Sequence, residues 1–240
     1  MIQFDHVDFR YTPDSGLALQ DITFQLKRKT VLGIIGPTGS GKTTLTQLIP
    51  RFYDVSAGAI SFDEVDVRSW DLDSLRHQIS QVPQTSVLFT GTIRENLQWG
   101  KQEASDEECW EALRIAQAED FVRQLPKGLD TKVMENGKNF SGGQKQRLTI
   151  ARALIAKPEL LILDDSLSAL DYQTDLNLRK ALQTSLDSTV IIISQRIRSI
   201  QEAHTILVMD QGKIVAQGTH EDLLAHSAEY REIVASQEEA

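Results

Sequence analysis

The sequence predicts an α/β fold in which strands buried on both faces alternate with helices, with a smaller antiparallel sheet at the amino end. Three observations predict it. Leu160-Leu161-Ile162-Leu163, Val190-Ile191-Ile192-Ile193 and Ile206-Leu207-Val208-Met209 are unbroken apolar runs of strand length, as expected of strands covered by helices on both sides. Near the amino end the apolar residues alternate instead: Ile2, Phe4 and Val7, then Ile22, Phe24 and Leu26, flank the turn residues Pro13-Asp14-Ser15-Gly16, the pattern of two antiparallel strands. Between these regions the apolar run Val31-Leu32-Gly33-Ile34-Ile35 leads into Gly36-Pro37-Thr38-Gly39-Ser40-Gly41-Lys42-Thr43, a glycine-rich link from strand to helix.

The remaining elements follow in order. A helix is expected after the glycine-rich link through about residue 51, then short strands at 59–62 and 79–82. From about residue 84 to 154 the pattern turns helical, and Ser105 with Glu108 forms a capping box ahead of Trp110, Leu113 and Ile115. The apolar strands then resume. Asp210-Gln211-Gly212 turns the last hairpin, and Thr219 with Asp222 caps a terminal helix. There is no internal repeat and no low-complexity linker.

Composition narrows the function. The 240 residues carry 34 Asp and Glu against 25 Lys and Arg, a net charge of −9, which argues against nucleic acid as the main partner because phosphate backbones are bound by basic surplus. One cysteine, Cys109, excludes an internal disulfide framework and suits a reducing compartment. The five histidines are scattered without metal-ligand spacing. No run approaches the ~18 apolar residues of a membrane span, and the amino end lacks a secretory signal pattern, so a soluble cytosolic chain is expected.

The chemistry concentrates in three segments. Gly36 to Thr43 fits G-x-x-x-x-G-K-[ST], in which backbone N–H groups of Thr38, Gly39, Ser40 and Gly41 wrap a nucleotide's phosphates at the positive end of a helix. Lys42 would reach the outer phosphates and Thr43 would ligate Mg²⁺, with Thr44 beside them. The apolar strand at 160–163 ends in Asp164, placed to orient the metal's shell unless it only caps the next helix, and Asp165 sits where a base could polarise an attacking water. Ser141-Gly142-Gly143-Gln144 reads as a capping box, yet Gly-Gly in a first turn costs roughly 1 kcal/mol per glycine relative to alanine, and two bare amides there make an anion seat.

Taken together, these segments and the Ser168-Ala169-Leu170-Asp171 loop resemble, in order and spacing, the nucleotide-binding domain of ABC transporters over nearly the whole chain. Val82-Pro83-Gln84, Leu88-Phe89, Gly91-Thr92-Ile93 and Glu95-Asn96 are similar to the Q-loop region of exporter-type members, as is Arg51-Phe52-Tyr53. The resemblance implies a P-loop ABC ATPase fold with a mixed sheet core, an amino-terminal antiparallel β subdomain and an inserted α-helical subdomain. One nucleotide-binding domain would span 1–240, with 1–83 and 156–240 as the ATP-binding core and 84–155 as the helical signature subdomain. It implies that Tyr11 stacks on adenine and that Gln84 touches Mg²⁺ or the attacking water. Ser141, Gly142, Gly143, Gln144 and Asp171 would contact ATP held by a second nucleotide-binding domain. The resemblance also implies ATP and Mg²⁺ as cofactors and the transmembrane domains of an exporter as the other partners. Such exporters carry their membrane spans on the same polypeptide ahead of this domain, so these residues are expected to be an excised carboxy-terminal domain held at the cytoplasmic face of the cell membrane.

Four positions depart from the family pattern. Asp165 stands where the family has glutamate, and Gln195, in Ser194-Gln195-Arg196, stands where it has a switch histidine. The first sets a carboxylate back, and the second removes a side chain able to become cationic. Phe140 replaces a leucine and Met134 a glycine in the loop with Thr131, Val133, Glu135 and Gly137 that the exporters use against their membrane part. The expectation is a degenerate site in a heterodimeric exporter, lending its signature helix to a competent partner. A homodimeric exporter in which Asp165 and Gln195 still work is the alternative. An ABC ATPase of DNA maintenance or translation, or an unrelated P-loop kinase or GTPase, fits fewer of the motifs.

Overall fold

The computed structural model describes residues 1–185 and 187–238. They form two compact units, one made of Met1–Ile79 with Thr189–Ala240 and the other of Ser80–Ser188. The second reaches past the expected helical insert to take in the strand that ends at Asp164 and the helix after it.

The first unit begins with the antiparallel sheet. β1 (Ile2–Phe9) pairs with β2 (Leu19–Leu26), setting Ile2 opposite Leu26, Phe4 opposite Phe24 and Val7 opposite Ile22. The alternating apolar residues therefore share one face, where Phe4 and Phe24 stack with ring centroids 4.6 Å apart. β3 (Val31–Ile35) runs through the glycine-rich loop into α1 (Lys42–Leu48). This helix stops short of residue 51 because Pro50 lacks an N–H to continue the ladder and Arg51 turns left-handed at φ 55°. β4 (Ala57–Phe62) pairs on the other side of β1, and β5 (Val65–Asp66) completes the order β2-β1-β4-β5. α2 (Leu72–His77) starts at Asp71, whose carboxylate accepts the Ser74 N–H.

The second unit begins within β6 (Ile79–Val82), at Ser80. Its stretch expected to be helical is interrupted, since β7 (Gly91–Thr92) pairs antiparallel with β8 (Lys132–Val133). Two-residue strands leave no periodicity to detect. Around them lie α3 (Ile93–Gln98), α4 (Asp106–Ile115), α5 (Glu119–Gln124) and α6 (Gly142–Leu154). The Ser105–Glu108 and Ser141–Gln144 capping boxes both form, opening α4 and α6. β9 (Leu160–Asp164) lies beside β6, buried at every position, and α7 (Tyr172–Ser185) follows.

The chain then returns to the first unit through β10 (Thr189–Ile193), α8 (Ile197–Ile200), β11 (Thr205–Asp210), β12 (Lys213–Gly218), α9 (His220–His226) and α10 (Ala228–Glu238). β10 and β11 run parallel to β3 on its two sides, and β12 is antiparallel to β11. Three parallel strands therefore release the chain at one edge, so the glycine-rich loop after β3, Gln195 after β10 and the Asp210-Gln211-Gly212 turn after β11 emerge together. This carboxyl edge is where α/β sheets bind ligands. Replacing the stacked Phe4 by alanine is expected to lower unfolding stability by about 3–5 kcal/mol in urea titrations, since the ring is fully buried.

Candidate functional site

The phosphate loop is shaped by close backbone approaches. A β-carbon on Gly36, at φ 154°, would stand 2.0 Å from the Met209 carbonyl oxygen, so only glycine lets the loop leave β3 against the end of β11. From behind, the Gly212 N–H donates to the Ser40 carbonyl (3.0 Å) while the Gly212 carbonyl accepts the Gln20 N–H (2.8 Å). Gly212 has φ 76°, and a β-carbon there would meet the Ala18 carbonyl oxygen at 2.5 Å. The last hairpin thus braces the loop against the start of β2, a role that the sequence signalled only as a turn.

Lys42 lies within the loop it follows, its Nζ donating to the Gly36 carbonyl (2.9 Å), the Pro37 carbonyl (2.7 Å) and Ser40 Oγ (3.3 Å). An ammonium thus sits at the centre of the cradle, only 8% exposed. The first turn of α1 contains no acidic residue, so its positive dipole end is not offset. A β-carbon at Gly39 would meet no atom of the described residues within 4 Å, so open space borders the loop at that position. Tyr11 is brought to the same place: its hydroxyl pairs with Thr44 Oγ1 at 2.7 Å and half of the residue is exposed. Phe9 and Tyr53 meet its ring edge-on, with centroids 4.9 and 5.3 Å away. The sequence pointed to Tyr53 only through its segment, and not as a brace for Tyr11.

In the second unit, Asp164 ends β9 and is 7% exposed, and Asp165 follows at φ 46°. The Asp165 carbonyl accepts both the Ser168 N–H (3.3 Å) and the Ser168 hydroxyl (2.7 Å), which fixes the turn. Gln84, two residues beyond β6, donates its side-chain Nε2–H to Asp165 Oδ2 at 3.0 Å. Three candidate residues, Gln84, Asp164 and Asp165, are therefore gathered here. Among the described residues no three His, Cys, Asp or Glu side chains cluster to hold a metal; Mg²⁺ commonly takes one or two protein ligands and completes its shell with water and phosphate oxygens.

At the start of α6 the Ser141 hydroxyl accepts the Gln144 N–H (3.2 Å), and Gln144 Oε1 accepts the Ser141 N–H (3.0 Å). A β-carbon on Gly142 would meet nothing within 4 Å, and one on Gly143 only the Ala169 carbonyl oxygen at 3.4 Å. Neither glycine has a positive φ, so nothing among the described residues demands glycine at either position. The bare, exposed turn suits a ligand that approaches from outside. Arg147 fastens this turn to the rest of the unit, donating to the Gln117 carbonyl (2.6 Å) and lying over the Phe121 ring; burial lowers its affinity for a proton. Phe140 packs edge-on against Phe121, so the residue that replaces the family's leucine keeps an apolar contact. Asp171 accepts the Thr174 hydroxyl (2.7 Å) and N–H (3.0 Å), bonds that hold its carboxyl below the usual range and give it a local task at the start of α7. Met134 has an ordinary φ of −76° and is exposed, so its backbone does not require the family's glycine.

A phosphate loop at the carboxyl edge of parallel strands, with an acid-ended strand and a bare capped helix, defines an ATP-binding cassette ATPase. The ABC transporter family model matches residues 19–168, and the chain belongs to that family. An uncharacterized ABC transporter ATP-binding protein of Bacillus subtilis, YfiB, is 46% identical over 236 residues, 98% of this chain and 41% of that protein. A probable multidrug resistance ABC transporter ATP-binding/permease protein of the same organism, YheI, is 45% identical over 232 residues, 96% of this chain and 40% of that protein. The solved structure of a bacterial Atm1-family ABC exporter with ATP bound superposes with a TM-score of 0.94 at 39% identity, over 98% of this chain and 42% of that one. The chain thus spans about two fifths of the length of these relatives. Lys42→Ala is expected to weaken ATP binding in calorimetry by on the order of 10- to 100-fold, the loss of charge-assisted bonds to phosphate. Gly212→Ala is expected to weaken it by about tenfold through strain behind the loop.

Proposed function

We propose that this chain is the nucleotide-binding domain of an exporter that holds Mg-ATP firmly at its own phosphate loop and hydrolyses it slowly, while its signature helix completes the site of a second nucleotide-binding domain. The single observation that carries this is the contrast between intact binding elements and the pair Asp165 and Gln195. On the family pattern, Lys42 and the loop amides would take the phosphates with Thr44 beside them, Thr43 and Asp164 would hold Mg²⁺, Gln84 would face the metal or water, and Tyr11 would stack on the base. When bound, Mg²⁺ would supply charge neutralisation for the outer phosphates.

Hydrolysis needs a water aligned with the outermost phosphoryl group and donors on that group's oxygens. Asp165 is one methylene shorter than glutamate, and one of its two oxygens already accepts the Gln84 amide. Gln195 could donate an amide N–H to the phosphoryl oxygen but, unlike histidine, takes up no proton. The Ser141-Gly142-Gly143-Gln144 turn, with Ser141 and Gly142 exposed and open space at Gly142, would meet the phosphates of a facing domain. A different second chain with a complete base and switch would then carry the turnover, and together they would drive cargo across the membrane through transmembrane domains that also select it.

The exposed aromatic pair Phe89 and Trp99, stacked with centroids 4.7 Å apart, offers the second unit's apolar surface to such a membrane part. In that arrangement the domain would sit at the cytoplasmic face of the cell membrane, with no role for nucleic acid. Asp165→Glu combined with Gln195→His is expected to raise steady-state ATP turnover of the chain by about 100-fold while ATP affinity stays within about twofold, because the change restores placement and not binding. An unchanged rate, or rapid turnover by the unaltered chain alone, would defeat the proposal. Sedimentation with ATP separates the partners: self-pairing with turnover indicates a homodimer, and a monomer holding ATP calls for a different chain.

A further inference from the structure

Gln237, near the end of α10, makes two hydrogen bonds to the segment that follows β10. Its Nε2–H donates to the Gln195 carbonyl at 2.7 Å, and its Oε1 accepts the Ile197 N–H at 2.9 Å. One side-chain amide thus satisfies a backbone acceptor and a backbone donor two residues apart, the pairing that a neighbouring strand would otherwise supply. The segment is held on its other side too. The Ser194 N–H donates to the Ile34 carbonyl (3.1 Å) at the root of the phosphate loop, and the buried Ser194 hydroxyl accepts the Arg196 N–H (3.0 Å). Gln195, between these ties, keeps its side chain exposed.

The helix that carries Gln237 is itself anchored. Tyr230 is fully buried, its N–H donates to Ser227 Oγ (3.1 Å), and its hydroxyl pairs with His220 Nδ1 (2.8 Å). Burial pushes this phenol up to about 12, so the hydroxyl keeps its proton at neutral pH. α10 is thus a firm base from which a long side chain reaches the loop beside the phosphates. Without the amide, the Gln195 carbonyl and the Ile197 N–H would turn to water, and the backbone at residue 195 would gain freedom.

We infer that Gln237 is a positioning residue that fixes the Gln195 backbone so that the Gln195 side chain is aimed at the outermost phosphoryl group. The inference rests on the proposed role of Gln195 at that group. The aim of Gln195 distinguishes a triphosphate from a diphosphate, so the reading is the ratio of Mg-ATP to Mg-ADP affinity, a quantity that general destabilisation moves little. Gln237→Ala is expected to weaken Mg-ATP binding by about three- to tenfold, the loss of a net hydrogen bond, and to leave Mg-ADP unchanged. Gln237→Glu keeps the acceptor for Ile197 but turns a carboxylate on the Gln195 carbonyl, and is expected to act in the same direction even if the alanine variant folds poorly. Gln195→Ala should lower the ratio comparably, and adding Gln237→Ala to it should lower it no further, because the two act as one unit. Equal losses for ATP and ADP, or an unchanged ratio in both Gln237 variants while Gln195→Ala lowers it, would overturn the clamp alone. An unchanged ratio in Gln195→Ala would remove the switch role and the clamp with it.

Discussion

The site in the first unit depends on one constraint, the closure of the phosphate loop against the ends of three parallel strands. Gly36 passes so near the Met209 carbonyl that no side chain fits, and the Gly212 N–H holds the Ser40 carbonyl from behind. These contacts tie the loop after β3 to the turn after β11, while Ser194 ties the segment after β10 to the same strand. The Lys42 ammonium can then occupy the centre of the cradle, surrounded by carbonyl oxygens that a phosphate chain would replace as partners. A loop free to open would lose the convergence of amides on which anion binding rests.

Binding and turnover are largely separable in such a site because most of the grip on the nucleotide comes from groups that take no part in cleavage. The cradle grips phosphates with backbone donors, the Lys42 ammonium and a helix end, to which Gln195 would add one contact at the outermost phosphoryl group and Asp165 none. Cleavage depends on ångström-scale placement of a water and on donors aimed at the developing charge, which is where a missing methylene and an uncharged amide tell. The Gln84–Asp165 bond adds a link of another kind, since it connects the residue after β6 to the residue after β9. A shift of Gln84 would therefore be felt at Asp165.

Much of this was legible in the sequence where a physical demand leaves a residue signature. Glycines at fixed intervals before Lys42 mark the loop, the alternation of Ile2, Phe4 and Val7 marks β1, and Ser141 with Gln144 marks the start of α6. The β7–β8 pairing was not legible, being two residues on each side, and α1 ended early at Pro50 and Arg51 for local steric reasons. The bonds of Gly212 to Ser40, Tyr11 to Thr44, Gln84 to Asp165 and Gln237 to Gln195 join residues between 33 and 172 positions apart. Turn propensity announced Gly212 without its purpose, and nothing in the sequence around Gln237 announced a clamp.

The most direct measurement is the identity of the nucleotide that the chain retains. The purified protein, mixed with Mg²⁺ and stoichiometric ATP, freed of excess nucleotide and quenched in acid after increasing intervals, should yield bound ATP that remains largely intact over many minutes. Rapid conversion of that bound nucleotide to ADP, or failure to retain nucleotide at all, would contradict a site that grips its ligand and cleaves it slowly.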